Sequence, residues 1–232
     1  MSTIMHEVPS TEDGAKEGTD RATGGRFAAG EDPAKREQIL DGAKRAFMKY
    51  GFDAASMNDI TREAGVSKGT IYVYFQNKED LFSALIEREK GRFTESLRHI
   101  MAGRTDTRQA LRDYGIAFVH QICDTDFIQA LRAALGVVDR MPNLCQSFLI
   151  NSPANARAVL AEFIDHQCRI GALKIDDTEL AARQFIELAT GNFFKFKLFG
   201  EMKTRPPESE VERVVDSAIH LFLAGYGTDK TR

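Results

Sequence analysis

The sequence predicts an all-α protein in which an N-terminal three-helix domain with a helix-turn-helix precedes a larger helical domain. Two observations carry this prediction. Apolar residues recur at three- and four-residue spacing from Pro33 almost to the end of the 232-residue chain, and few stretches alternate as strands do. Capping residues precede most of these segments, and glycine ends several of them. We expect nine to ten helices.

Residues 1–30 predict a disordered acidic tail, because they are rich in glycine, serine, threonine and acidic residues and hold little apolar surface. They contain no apolar segment of a secretory signal, and no run approaches the length of a membrane span. Three dispersed cysteines without CxxC spacing favour a reducing compartment. We therefore expect a cytoplasmic protein without membrane contact, structural metal or cofactor.

The first ordered domain is predicted over residues 31–78. Its first helix begins at Pro33, a first-turn proline, and ends at Gly51. Ser56 followed three residues later by Asp59 resembles a capping box, which starts a short second helix. Gly65 then breaks the chain at a turn that favours a residue tolerating positive φ.

A third helix, capped by Ser67 and ending near Phe75, completes a helix-turn-helix. The two short helices must cross closely at Ala64, which explains a small residue there. The predicted core of this unit consists of Ile60, Ala64, Val66, Ile71 and Phe75. The remaining side chains of the third helix are then available to a partner.

Those remaining side chains suit DNA, because such a helix places its N-terminal end in the major groove. Lys68 offers a cation, Gly69 permits close approach, and Thr70 can contact a base edge or a phosphate. Tyr72 and Tyr74 can donate hydroxyl hydrogen bonds to phosphates while their rings pack on sugars. The alternative is a helical hairpin that only builds a core.

Lys78 begins the next helix, where a phosphate would meet both its ammonium and the positive end of the helix dipole. Charge distribution agrees with this interpretation. Residues 33–104 hold thirteen basic and ten acidic side chains, whereas the segments before and after them are net acidic. The only net positive region therefore contains the predicted DNA-binding surface.

Residues 36–82 closely resemble the DNA-binding domain of the TetR family of transcriptional regulators, above all in the segment GFDAASMNDITREAGVSKGTIYVYFQNKEDL. The resemblance implies that family members contact operator DNA at the positions of Lys68, Gly69, Thr70, Tyr72, Tyr74 and Lys78. It implies secondary contacts at Asn58, Thr61 and Arg62. Position 74 is often histidine in the family, and tyrosine preserves a hydrogen-bonding ring. Met57 departs from a position that is often polar.

The second domain is predicted over residues 79–232. Its helices are expected near 78–102, 107–123, 125–138, 143–150, 153–171, 178–200 and 208–226. The run from VVDRMPNLCQSFL to GNFFKFKLFG resembles the C-terminal domain of the AefR-like subgroup. This resemblance implies a ligand-binding and dimerisation domain.

The last two predicted helices, 178–200 and 208–226, carry wide apolar faces. The faces comprise Leu180, Ala181, Phe185, Leu188, Phe193 and Phe194 on one helix, and Val211, Val214, Val215, Ala218, Leu221 and Phe222 on the other. Two such pairs can meet in a four-helix bundle, which predicts a homodimer. The alternative is that both faces pack only within the monomer.

A small apolar effector is expected among aromatic and sulfur-containing side chains of this domain. The aromatic and sulfur-containing candidates are Phe118, Cys123, Phe127, Met141, Phe148, Phe163 and Cys168, and Gln121 is a further candidate. His120, Gln121 and His166 are the candidate polar anchors. The alternative is that these residues form a core and a surface without a ligand.

These features together predict a homodimeric repressor that a small apolar ligand releases from a palindromic operator. The alternatives are an activator, a ligand-independent or thiol-responsive regulator, and a protein-interaction module that has lost DNA binding. We do not expect an enzyme. Neither Asp165-His166 nor Asp139-Arg140 has a nucleophile, a glycine-rich phosphate loop or metal-ligand spacing nearby.

Overall fold

A computed structural model describes residues 28, 30–139, 155–191 and 193–231. The predicted tail therefore falls almost entirely outside the described residues. The predicted helix 143–150 and the candidates Met141 and Phe148 also lie outside them.

The described residues form an all-α fold, as the sequence predicts, with a single isolated β-bridge between Leu173 and Gly227. None of the helices in this part of the chain is long and apolar enough to cross a bilayer. The helices are α1 (Pro33–Tyr50), α2 (Met57–Ala64), α3 (Lys68–Tyr74), α4 (Lys78–Met101), α5 (Thr107–Cys123), α6 (Thr125–Gly136), α7 (Ala156–Arg169), α8 (Thr178–Thr190), α9 (Phe193–Leu198) and α10 (Glu208–Tyr226).

The prediction of one helix over 178–200 is wrong, because α8 and α9 are separate. Gly191 has φ 49° and its backbone N–H bonds the Glu187 carbonyl oxygen, which ends α8. Two smaller differences concern helix ends. The helix predicted to reach residue 138 ends at Gly136. The helix predicted over 153–171 spans 156–169, and the side chain of Asn155 caps its first turn.

In the described ranges, three groups of buried apolar side chains hold the helices together. The head core consists of Ile39, Leu40, Ala43, Ala46, Ile60, Ile71, Phe75, Leu81 and Leu85. The larger body core joins α4, α5, α7, α8, α9 and α10, with Tyr114, Leu160 and Phe185 among its largest fully buried side chains. A small hinge cluster of Phe52, Phe82, Ile86 and Val137 connects α6 to the end of α1.

Helix α4 belongs to both main cores. Leu81 and Leu85 complete the head core, whereas Leu97 and Met101 enter the body core. The boundary near residue 78 is therefore retained as a proposal, with α4 as the element that both units share.

Ion pairs also hold the head, which consists of helices α1 to α3, against α4. Arg88, whose side chain is only 7% exposed, lies 3.1 Å from Glu37 and 2.8 Å from Asp41, both on α1. These bonds orient α1 against α4, and with it the helix-turn-helix that packs on α1.

Candidate nucleic-acid interface

The turn between α2 and α3 has the geometry that its sequence predicts. The Ser56 side chain accepts a hydrogen bond from the Asp59 backbone N–H, and the Asp59 carboxylate accepts one from the Ser56 backbone N–H. Gly65 ends α2 in the left-handed region at φ 63°. A reciprocal capping box and a left-handed glycine therefore fix both ends of α2.

Helix α2 lies directly on α1. A Cβ placed on Gly42 would lie 2.5 Å from the Ala64 backbone nitrogen, closer than real Cβ atoms approach their neighbours. The Gln38 amide donates to the Ala64 carbonyl oxygen at 2.8 Å, and the Arg45 guanidinium donates to that of Glu63. The close contact of Ala64 is therefore with α1, whereas the sequence predicts that the two short helices α2 and α3 cross closely at this residue.

Helix α3 has one buried edge and one exposed edge. Ile71 is fully buried and Phe75 nearly so, and both belong to the head core. Lys68 and Gly69 are exposed, and Tyr72 is 47% exposed. Among the residues that the structure describes, the side chains of Lys68 and Tyr72 have no hydrogen-bond or ion-pair partner, which leaves them available to an external one.

Thr70 and Tyr74 are less free than Tyr72. The Thr70 hydroxyl lies 2.7 Å from the Ser67 hydroxyl, which also caps α3 by accepting from the Thr70 backbone N–H. Tyr74 is half-buried and packs against the head core. Both side chains reach the surface, but the protein already fixes their orientation.

Val73 is an exposed apolar residue that the sequence reasoning did not single out. It is 52% exposed and lies beside Tyr72 on α3. The signal was available, because Ile71 and Phe75 occupy the inward positions four residues apart. An exposed apolar side chain on this helix can contact a thymine methyl group.

Lys78 folds back onto the protein. Its ammonium donates to the carbonyl oxygens of Phe52 at 2.8 Å and Asp53 at 3.1 Å. It also lies 4.6 Å from the centre of the Phe52 ring. A lysine ammonium has three N–H donors, so one is left for a phosphate. Its contact with DNA stays a prediction.

The candidates on α2 differ in their freedom. Asn58 is exposed. The Thr61 hydroxyl donates to the Met57 carbonyl oxygen at 2.7 Å. Arg62 donates to Asp59 at 2.6 Å and to the Tyr50 hydroxyl at 3.1 Å, and is thereby held along the edge of the head.

Asp59 is the most strongly perturbed carboxylate of this surface. Hydrogen bonds from the Ser56 side chain and backbone, and then from Arg62, lower the pKa of Asp59 from 3.8 to about 2. The Asp59 carboxylate of the capping box is therefore ionised throughout the physiological pH range.

The predicted effector candidates that the structure describes do not converge on one pocket. Cys123 and Phe163 are buried in the body core, and Phe118 and Cys168 pack against it. Gln121 and Phe127 instead line a cavity of about 530 Å³ among α1, α4, α5 and α6. The expected anchors His120 and His166 are exposed, and His120 lies 2.9 Å from Glu208.

Most of the predicted dimer face is used within the chain. Ala181, Phe185, Phe193, Val211, Val215, Ala218 and Phe222 are all buried. Leu180, Leu188 and Leu221 remain 40%, 41% and 55% exposed. These three leucines line one shallow groove across α8 and α10, here called the leucine patch.

A helix-turn-helix with a paired capping box, carried by α1 and joined through α4 to a helical body, defines a protein of the helix-turn-helix class. Residues 39–85 match the family described as bacterial regulatory proteins, tetR family. Residues 109–228, half of the chain, match the C-terminal domain of AefR-like transcriptional repressors. The chain belongs to the TetR family.

Individual relatives agree with this assignment. The transcriptional activator FasR of Mycolicibacterium smegmatis is 33% identical over 99 residues, which cover 42% of this chain and 45% of that protein. This chain therefore matches less than half the length of that curated relative.

Solved structures extend the likeness to the whole fold. A TetR-family regulator from Mesorhizobium loti has a TM-score of 0.77 at 23% identity, over 84% of this chain and 98% of that one. The flavonoid-responsive regulator FrrA has a TM-score of 0.66 at 28% identity, over 85% of this chain and all of that one.

Proposed function

We propose that the protein is a DNA-binding transcriptional regulator that acts as a repressor in the cytoplasm. The observation that carries the proposal is the exposed edge of α3, where Lys68 and Tyr72 lie without partners in the described part of the chain, beside Gly69. A major groove admits one helix, and the glycine lets its backbone approach the DNA. The family match over residues 39–85 supports the same role.

DNA contacts are assigned in two groups. Lys68, Gly69, Thr70, Tyr72 and Tyr74 provide the contacts of α3. The supporting contacts come from Asn58, Thr61, Arg62 and Lys78. Arg62 and Lys78 already hold protein partners, so they act by bringing rigidly oriented cations to phosphates rather than by reading bases.

The active form is a homodimer that buries the leucine patch. Leu180 and Leu188 on α8 and Leu221 on α10 would meet the same residues of a second copy across a two-fold axis. Two heads on one axis would read a palindrome with half-sites about one helical turn apart. Without the second copy, the side chains of these three leucines remain exposed to solvent.

Release from the operator by a small-molecule effector completes the proposal. The AefR-like match describes repressors, and FrrA is named as flavonoid-responsive. FasR is named as an activator, so the direction of the transcriptional response needs its own measurement.

Selection of bound duplexes from a random DNA pool tests this function. The proposal predicts enrichment of a palindrome, and lower transcription from a promoter that overlaps it when the protein is present. Recovery of no common sequence by a folded protein at low salt would overturn the DNA-binding role. Higher transcription would overturn repression alone.

A further inference from the structure

The cavity that Gln121 and Phe127 line lies at the hinge between head and body. Its walls come from the second half of α1, the middle of α4, the end of α5 and α6. Five phenylalanines dominate these walls, namely Phe47, Phe52, Phe82, Phe93 and Phe127. At about 530 Å³ the cavity has the size of a small-molecule site.

The charged groups at the edge of this cavity are already paired. Lys44 on α1 lies 3.0 Å from Glu89 on α4 and 3.3 Å from Asp126 on α6. Asp124 pairs with Arg205 at 3.3 Å.

The remaining cations at the edge are occupied as well. Arg132 donates to the carbonyl oxygens of Lys197 and Leu198 at the end of α9. Lys90 pairs with Glu87 at 3.2 Å. A charged ligand would lose its hydration on entering the cavity. To gain a protein partner for its charge, it would have to break one of these existing pairs.

We propose that this hinge cavity binds an uncharged planar aromatic molecule of two or three rings. Phenylalanine rings provide offset and edge-to-face contacts for such a ligand. The Gln121 amide can satisfy one polar group on it. This site shares Gln121 and Phe127 with the pocket that the sequence predicts, but it does not include Cys123 and Phe163, which are buried in the body core.

The position of the cavity gives the ligand an effect on DNA binding, a consequence that rests on the proposed function. Phe47 and Phe52 belong to the head side of the cavity, whereas Phe127 belongs to α6. The Phe52 ring contacts Phe82 at a centroid distance of 4.6 Å, and the Lys78 ammonium covers it. A ligand that contacts the Phe52 ring therefore contacts the residue against which Lys78, a predicted phosphate contact, is packed.

Thermodynamic linkage then requires a reciprocal effect. If the ligand fits one arrangement of α1 and α6 better than another, it shifts the head position, and operator DNA shifts ligand affinity by the same factor.

A matched pair of fluorescent probes tests the site. N-phenyl-1-naphthylamine is uncharged, and 8-anilino-1-naphthalenesulfonate has the same rings with a negative charge. We expect one uncharged probe per chain, with the sulfonate bound at least tenfold more weakly. Equal affinity of the two probes would overturn the proposed ligand class.

Two substitutions locate the probe. Ala130→Leu and Ala133→Leu place larger side chains in the cavity wall, and each is expected to weaken binding of the uncharged probe at least tenfold. Ala102→Leu is the matched control, because Ala102 is exposed and does not line the cavity. Unchanged probe binding to both cavity variants, with circular dichroism and melting like those of the parent, would overturn the site.

DNA anisotropy separates this proposal from the proposed function. Probe binding that the cavity variants abolish, in a protein that binds no DNA, would support the site and contradict the regulator. Operator binding without probe binding would contradict the site alone. Both kinds of binding without mutual influence would overturn the coupling.

Discussion

Gly42 on α1 packs so closely against Ala64 on α2 that position 42 has no room for a larger side chain. A Cβ on Gly42 would meet the Ala64 backbone, which cannot move without displacing the turn at Gly65. The position of α3, which we propose contacts DNA, thus depends on a contact between two residues on α1 and α2.

Gly42→Ala should destabilise the protein by about 1–3 kcal/mol, because the added methyl group overpacks a backbone contact. Urea unfolding monitored by circular dichroism measures this loss. Gly91→Ala is the matched control, since Gly91 on α4 has no neighbour within 4 Å of an added Cβ. It should stabilise by roughly 0.5–1 kcal/mol. Equal effects of the two substitutions would contradict the close contact.

The capping box predicts a specific pH dependence. Because the pKa of Asp59 is lowered to about 2 in the folded protein, its ionisation stabilises the fold above its ordinary pKa of 3.8. That contribution should decline as the pH falls below 4 and vanish below 2. The difference in unfolding free energy between the parent and Asp59→Asn, measured from pH 6 to 2, reports it. A difference that does not change with pH would contradict the assignment.

Two cysteines should be poor redox sensors. Burial raises the pKa of the Cys123 thiol, although the nearby charges of Lys197 and Arg205 oppose the change. Burial also raises the pKa of Cys168. Thiols that stay protonated react slowly. We expect alkylation of both by iodoacetamide at pH 7.5, followed by peptide mapping, to be at least tenfold slower in the folded protein than in urea. Fast labelling of either would favour the thiol-responsive alternative.

The leucine patch predicts the oligomeric state. Leu221→Arg places a charge where Leu221 is 55% exposed, and should convert the dimer to a monomer in analytical ultracentrifugation. Ile170→Arg is the control, because Ile170 is 45% exposed but does not line the groove of α8 and α10. A dimer that persists in Leu221→Arg, or a monomeric parent, would contradict the proposed interface.

The sequence predicts the helix-turn-helix well because its determinants are local. Ser56 and Asp59 are three residues apart, and Gly65 stands alone at the turn, so capping rules are sufficient there. The sequence does not predict the break at Gly191, because a glycine inside an apolar periodicity is also compatible with a continuous helix.

Sequence patterns do not predict contacts between residues that are distant along the chain. Lys78 bonds carbonyl oxygens 25 and 26 residues earlier in the chain. The hinge cavity needs side chains from four helices, and periodicity does not give the angles at which helices pack. The leucine patch cannot be predicted from the sequence for the same reason. The apolar periodicity of α8 and α10 does not show which of their apolar residues pack against α5 and which stay exposed.

The salt dependence of operator affinity tests the central claim, that the exposed edge of α3 contacts DNA, most directly. Anisotropy titrations of the parent, Lys68→Ala and Lys174→Ala between 50 and 200 mM salt give the slope of log affinity against log salt. Loss of one phosphate contact should reduce the slope by about 0.9 in Lys68→Ala. Lys174→Ala removes an exposed lysine far along the chain and should leave the slope unchanged. Equal slopes for all three proteins would contradict the account.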